Sequence, residues 1–134
     1  MAIGFPWIPL KSEFGINYYC TCSVEIEKKN EEWLSRDLEV DSGSATTMLD
    51  MSDLFELGYY KNECTKVYYK NANRKKSLAY GHLVTIKIGN RKISNVPVLF
   101  SAKPITMPVL GRAKILEKVK IVFDSAEKRT IFSL

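Results

Sequence analysis

Val40-Asp41-Ser42-Gly43-Ser44-Ala45-Thr46-Thr47-Met48-Leu49 is the stretch of sequence that decides the fold. In it a carboxylate, Asp41, leaves the end of an apolar strand and is followed at once by a hydroxyl, a glycine and another small residue. The glycine permits a tight backbone turn and lets a neighbouring chain approach closely, because it has no Cβ. The small residues leave space for a second copy of the loop. The pattern therefore indicates a loop that can bring two carboxylates together.

The residues before Asp41 predict two antiparallel strands. Residues 18–27 alternate an apolar set with a polar set, which is the period of a half-buried strand; the set expected to face inward is Tyr18, Cys20, Cys22, Val24 and Ile26. Residues 28–32 have the polarity of a hairpin loop, and residues 33–40 return as the partner strand. We therefore expect a β-hairpin to lead directly into Asp41.

The remainder of the chain predicts more strands and one short helix. The helix is expected over residues 50–58, where a capping Asp or Ser precedes an apolar turn and Gly58 supplies the stop. Strand-like runs cover residues 65–70, 78–88, 92–100, 118–123 and 129–132, and turn residues separate them. With no internal repeat and no linker, residues 1–134 predict a single all-β domain.

Composition narrows the class of protein. A chain of 134 residues that is 46% hydrophobic and 26% charged is long enough to bury one core. No run approaches the roughly 18 apolar residues of a membrane span, and the first ten residues lack the features of a signal peptide. Three cysteines, an odd number without framework spacing, suit a reducing compartment. We therefore expect a cytoplasmic protein without a membrane span.

The net charge of +5 raises the question of nucleic-acid binding. Arg74-Lys75-Lys76 is the main basic cluster, and it lies near Tyr68, Tyr69 and Tyr80, so a small basic β-barrel that binds nucleic acid is one alternative. A solvated basic loop explains the cluster more simply, because such charge runs commonly carry no partner. No nucleic-acid partner is therefore expected.

Other chemistries find little support in the sequence. The lone His82 has no cysteine or carboxylate at ligand spacing, so a strand histidine is favoured over a metal ligand. Cys20 and Cys22 lie on one face of the predicted strand, where burial as small hydrophobes is favoured over metal or redox chemistry. Gly89-Asn90 is typical of a hairpin turn. We expect neither a metal nor another cofactor.

A resemblance to a known family rests on two motifs. Asp41-Ser42-Gly43-Ser44 resembles the Asp-Thr/Ser-Gly-Ala/Ser signature of aspartic peptidases. Further along, Met107-Pro108-Val109-Leu110-Gly111-Arg112 is similar to the hydrophobic-hydrophobic-Gly-Arg segment of retropepsins, which in that family precedes a short helix, here 113–117, and a C-terminal hairpin. The resemblance implies a closed retropepsin-like acid-protease barrel with one or two short helices and one lobe per chain.

The resemblance also implies a reaction and a partner. Pepsin-like enzymes carry two Asp-Ser/Thr-Gly motifs in a much longer chain, whereas this chain has one, so a homodimer would be needed to complete the site. Two Asp41 carboxylates would share one proton and activate a water for attack on a peptide bond. The implied activity is that of an aspartic endopeptidase acting on peptides or proteins. The alternative is an inactive retropepsin-fold module for dimerisation or peptide binding.

Individual roles follow from the same resemblance. Ser42 would bond across to the other subunit's backbone, Gly43 would lie along the substrate, and Ser44 would fill the small-residue position beside the catalytic loop. Gly111 and Arg112 would be structural residues near the site. Many retroviral enzymes pair this Arg with an Asp where Ala45 stands here, so Arg112 needs another partner. Asp37, Asp50 and the other subunit's N-terminal segment remain alternatives.

Two further segments are implied to act around the cleft. A flap is expected at about 67–84 with its turn near 71–74, although this segment is basic where retroviral flaps are glycine-rich and apolar. Tyr68 or Tyr69 would either pack over a bound peptide or fill the core. Residues 129–134 would form a dimer strand, for which residues 5–10 are a possible edge partner because their prolines restrict pairing.

Overall fold

β-strands make up most of this computed structural model, which describes residues 1–70 and 73–134. The strands are β1 Ala2–Pro6, β2 Ile8–Ser12, β3 Gly15–Tyr19, β4 Thr21–Glu27, β5 Trp33–Val40, β6 Thr47–Asp50, β7 Thr65–Lys70, β8 Lys76–Ile88, β9 Arg91–Ser101, β10 Val109–Leu110, β11 Lys120–Asp124 and β12 Arg129–Ser133. Helix α1 covers Met51–Glu56, and short 3₁₀ turns lie at Lys61–Glu63 and Leu116–Lys118.

The largest sheet closes on itself. Its strand order is β4-β5-β10-β6-β9-β8-β7, and β4 also pairs with β8 through Glu25 opposite Lys87 and Ile26 opposite Ile86. Six strands therefore form a barrel, while β7 continues from β8 as an edge strand. Side chains such as Ile26, Leu38, Ile86 and Phe100 fill the interior and are completely buried. The prediction of an all-β closed barrel with a short helix is confirmed.

Two smaller sheets stand beside the barrel. The terminal sheet has the order β1-β12-β11, so both ends of the described chain meet in it. The second is a two-stranded hairpin of β2 and β3. Within one chain, Phe5 and Pro6 pair with Thr130 and Arg129 of β12, whereas Ile8–Ser12 pairs with β3 instead. The pairing expected between two subunits stays a prediction.

The strand predicted over residues 18–27 is interrupted. Tyr18 lies in β3 and is exposed rather than inward-facing, because β3 ends at Tyr19 and β4 begins at Thr21. From Cys22 onward the expected alternation holds, and Cys22, Val24 and Ile26 are buried. Thr21 is buried as well. The polar face of this strand is not fully solvated, since β1 packs near β4.

The predicted helix forms where its capping residues placed it. Asp50 accepts a hydrogen bond from the Ser52 amide at 2.9 Å, and Asp53 accepts one from the Asp50 amide at 3.2 Å. This reciprocal pair is a capping box, which satisfies amides that a helix start otherwise leaves open. Gly58 ends the segment with a φ of 91°. Of the predicted flap turn at 71–74, residues 71 and 72 lie outside the described residues.

Candidate active site

Asp41 stands at the end of β5, on a loop held by β10. Strand β10 runs parallel to β5, with Leu110 opposite Val40, and antiparallel to β6, with Val109 opposite Met48. It therefore lies between the strand that enters the Asp41 loop and the strand that leaves it. The Asp41 amide donates to the Leu110 carbonyl at 3.1 Å. This bond fixes the backbone at the carboxylate.

The loop itself is a tight turn that orients the carboxylate. The Gly43 amide donates to Asp41 Oδ1 at 2.9 Å, and the Ser44 amide donates to the Asp41 carbonyl at 3.1 Å. Ser44 Oγ donates to the Thr46 carbonyl at 2.7 Å. Asp41 is half-buried, whereas Ser42 and Gly43 are exposed. The carboxylate and the small residues after it are thus presented at the surface.

Gly111 is required by a close backbone approach. Its amide donates to Thr47 Oγ1 at 3.0 Å, and a Cβ at this position would lie 2.4 Å from the Thr46 carbonyl carbon. Such a distance is incompatible with any side chain. The sequence patterns did not single out Thr47, whose buried hydroxyl receives this bond. A polar residue at an inward position of a strand was the only available signal.

Arg112 finds its partner in the Asp41 loop. Its Nη1 donates to the Ser42 carbonyl at 2.6 Å, and its backbone amide donates to the Ser44 carbonyl at 2.9 Å. The two carboxylates considered as partners are engaged elsewhere: Asp37 accepts from Ser23 Oγ at 2.6 Å, and Asp50 caps α1. None of the ion pairs in the described part of the chain involves Arg112. Within one chain, the arginine thus braces the loop through a carbonyl.

Strands β7 and β8 form a hairpin at the position predicted for the flap. Their pairing runs from Thr65 opposite Gly81 to Lys70 opposite Lys76. Tyr69 is half-buried, with its hydroxyl 3.5 Å from Ser101 Oγ. Tyr68 is exposed, and Lys76 Nζ lies 4.4 Å from its ring centre. The two tyrosines therefore occupy opposite faces of β7, and Tyr69 is the one directed toward the barrel.

His82 and Cys22, the other residues considered as candidates, pack against neighbouring side chains or are buried. The His82 ring lies 4.1 Å from the Tyr59 ring, within β8. Cys22 is buried, and this burial raises the pKa of its thiol to about 12. Across residues 1–70 and 73–134, no three His, Cys, Asp or Glu side chains are grouped as a metal site. No helix among the described residues has the length and apolar character needed to cross a bilayer.

One family model and two solved structures are similar to this chain. Residues 26–113, more than half of the chain, match the model of a family described as aspartyl protease. A retropepsin-like aspartic protease from Rickettsia conorii is similar in structure, with a TM-score of 0.65 and 17% identity over 98% of this chain and 90% of that one. EIAV protease, solved with an inhibitor, gives a TM-score of 0.54 and 24% identity over 75% of this chain and 86% of that one.

At 17% and 24% identity, the two solved structures establish the fold of this chain. The match to the family model over residues 26–113 establishes that the chain is a member of the family. A search of curated proteins found no match. The matched segment includes the Asp41 loop, the β7–β8 hairpin and the Gly111-Arg112 pair. The chain therefore belongs to the aspartyl protease family, and its fold is that of the retropepsin-like members.

Proposed function

We propose that the chain is an aspartic endopeptidase that works as a homodimer, with one Asp41 from each subunit in a single site. The observation that carries the proposal is the Asp41 loop. Its carboxylate is oriented by the Gly43 amide at 2.9 Å and is followed by small residues at the surface. One chain supplies one such loop, so a second copy supplies the other carboxylate.

The chemistry depends on the coupling of the two carboxylates. Two such groups about 3 Å apart cannot both ionise at low cost, so the pair holds one proton and its apparent pKa values move apart. The ionised Asp41 takes a proton from a water, and that water attacks the peptide carbonyl carbon. The protonated Asp41 donates to the carbonyl oxygen. The pKa values belong to the pair rather than to either residue.

Neighbouring residues have supporting roles in this proposal. The Ser42 hydroxyl bonds to the partner's backbone and fixes the distance between the two loops. Gly43 lies along the substrate backbone, and its lack of a side chain also keeps the carboxylate uncrowded, since a Cβ there would lie 3.2 Å from Asp41 Oδ1. The β7–β8 hairpin acts as the flap over residues 67–84, and Tyr68 or Tyr69 packs over a bound peptide. Arg112 holds the loop through its hydrogen bonds to the Ser42 and Ser44 carbonyls.

The test is cleavage of an unstructured protein between pH 3 and 7, with and without pepstatin. Three proteins are compared: wild type, Asp41→Asn, and Asp37→Asn as a matched control. Asp37 lies on β5, the strand that leads to Asp41, but accepts a hydrogen bond from Ser23 Oγ, so its replacement should leave cleavage intact. We expect pepstatin-sensitive cleavage by wild type and Asp37→Asn, and none by Asp41→Asn.

The outcomes separate the proposal from its alternative. Asp41-dependent cleavage supports a working peptidase. Absence of cleavage by a folded, dimeric wild type over the whole pH range would favour a binding module without activity. Cleavage that survives in Asp41→Asn would point to a contaminating enzyme.

A further inference from the structure

The β2–β3 hairpin lies outside the hydrophobic core and exposes apolar side chains. None of residues 8–19 belongs to the core cluster of the described chain. Phe14 is 91% exposed and Ile16 is 61% exposed. Three more large apolar residues of the hairpin are also exposed: Ile8, Leu10 and Tyr18. The hairpin therefore carries a concentrated apolar surface that the described residues leave largely exposed, although Tyr18 contacts Trp7 with 6.1 Å between the ring centres.

The apolar side chains occupy both faces of the hairpin. Ile8 stands opposite Tyr19, whereas Lys11 stands opposite Ile16, and alternate positions on a strand point to opposite faces. An isolated two-stranded hairpin is only marginally stable in water. A hairpin that is apolar on both sides is therefore expected to be covered by another surface.

The base of the hairpin is fixed next to the Asp41 loop. On one side, Trp7 Nε1 donates to Thr130 Oγ1 at 2.9 Å, and Lys128 Nζ lies 5.6 Å from the Trp7 ring centre. On the other side, the Val40 amide donates to the Cys20 carbonyl at 2.8 Å. Val40 is the residue immediately before Asp41. The hairpin thus leaves the body of the protein beside the carboxylate.

The terminal sheet offers no free edge on its C-terminal strand. Strand β12 is paired with β1 on one side and with β11 on the other, over five residue pairs in each case. A strand from a second chain could reach β12 only by displacing one of these. A contact that needs no strand exchange is available at the hairpin.

We infer that the β2–β3 hairpin is an arm that packs against a second copy of this chain. The inference rests on the proposed function, because two Asp41 carboxylates can meet only if the second copy approaches the face from which the hairpin leaves. In a twofold arrangement each subunit contributes one arm, so the apolar contact is made twice. Phe14 and Ile16 are the anchors, since the most exposed apolar side chains gain most from burial.

Sedimentation velocity over a wide range of protein concentration tests the arm. The Phe14→Asp/Ile16→Asp variant is compared with wild type and with two controls, Phe55→Asp on α1 and Val122→Asp on β11, whose side chains are 53% and 41% exposed. Circular dichroism verifies that each variant folds. We expect the hairpin variant to weaken dimerisation by about a hundredfold or more, and Phe55→Asp to leave it unchanged.

Each outcome decides the inference separately from the peptidase proposal. A hairpin variant that dimerises like wild type, or a loss of dimer confined to Val122→Asp, overturns the arm while a cleaving dimer stands. A wild type that remains monomeric at every concentration also overturns it. A dimer that depends on Phe14 and Ile16 but shows no Asp41-dependent cleavage supports the arm and contradicts the peptidase proposal.

Discussion

The amide nitrogen of Gly111 lies 3.0 Å from the Thr47 hydroxyl oxygen, which ties β10 to the strand that follows the Asp41 loop. Gly111→Ala should lower the free energy of unfolding by about 3 kcal/mol, because the new Cβ meets rigid backbone and forces it to move. Urea unfolding measures the change. Gly4→Ala is the matched control, since its Cβ would meet only the flexible Arg129 side chain at 3.6 Å. Equal stability of the two variants would contradict the role given to Gly111.

Arg112 braces the Asp41 loop through the Ser42 carbonyl. If the peptidase proposal holds, Arg112→Ala should lower kcat/KM about a hundredfold, because a loop displaced by about 1 Å no longer positions its carboxylate. The free energy of unfolding should change by only about 1 kcal/mol, as expected for one exposed hydrogen bond. Lys118→Ala, also an exposed cation, should retain activity. An equal loss of kcat/KM in Arg112→Ala and Lys118→Ala would indicate a general effect of removing a positive charge, and would contradict the role given to Arg112.

Arg36 links β5, the strand that leads to Asp41, to helix α1. Its Nε donates to Asp53 Oδ1 and its Nη2 to Glu56 Oε2, both at 2.8 Å. The Asp53 side chain is only 9% exposed, whereas that of Glu56 is 53% exposed. Asp53→Ala should therefore cost about 2–3 kcal/mol in urea unfolding, and Glu56→Ala less than about 1 kcal/mol. The reverse order would contradict the assignment of Asp53 as the structural partner.

Cys22 should give the protein an alkaline limit of stability. Burial, and to a smaller extent the nearby Asp37, raises the pKa of this thiol from 9.0 to about 12. The unfolded chain therefore loses the proton first, so the stability contributed is complete below about pH 9 and falls as the pH rises toward 12. Thermal unfolding from pH 7 to 11 should show a shallower alkaline decline for Cys22→Ala than for wild type. Cys20→Ala is the control, because that thiol is only half-buried.

The central part of the fold was predictable because its signals are local. Three features could be recognised from residue types in the sequence. They are a hairpin with alternating burial, a capping pair at Asp50 and Asp53, and Gly111 where two backbones cross closely. The Asp41 loop was predictable for the same reason, since a turn beside a carboxylate needs glycine and small residues. These elements depend on neighbours close in sequence or on a motif of fixed spacing.

The N-terminal region was harder to predict because its structure depends on distant partners. Trp7 is held by Thr130, and the break at Cys20 accompanies a hydrogen bond from Val40. Pro9 interrupts the pattern expected of a strand, so the β2–β3 hairpin gave no clear periodic signal. The partner of Arg112 escaped prediction as well, since a backbone carbonyl has no residue type that could reveal it.

The ladder between β1 and β12 has a mechanical consequence. It runs antiparallel from Ala2 opposite Ser133 to Pro6 opposite Arg129, so positions 2 and 133 lie side by side at one end of it. A pulling force applied between these two positions loads the nearest residue pair first and then each following pair in turn. The strands would unzip at low force, rather than resist together as strands sheared lengthwise do. Under tension the protein would therefore release β1 while the barrel remains closed.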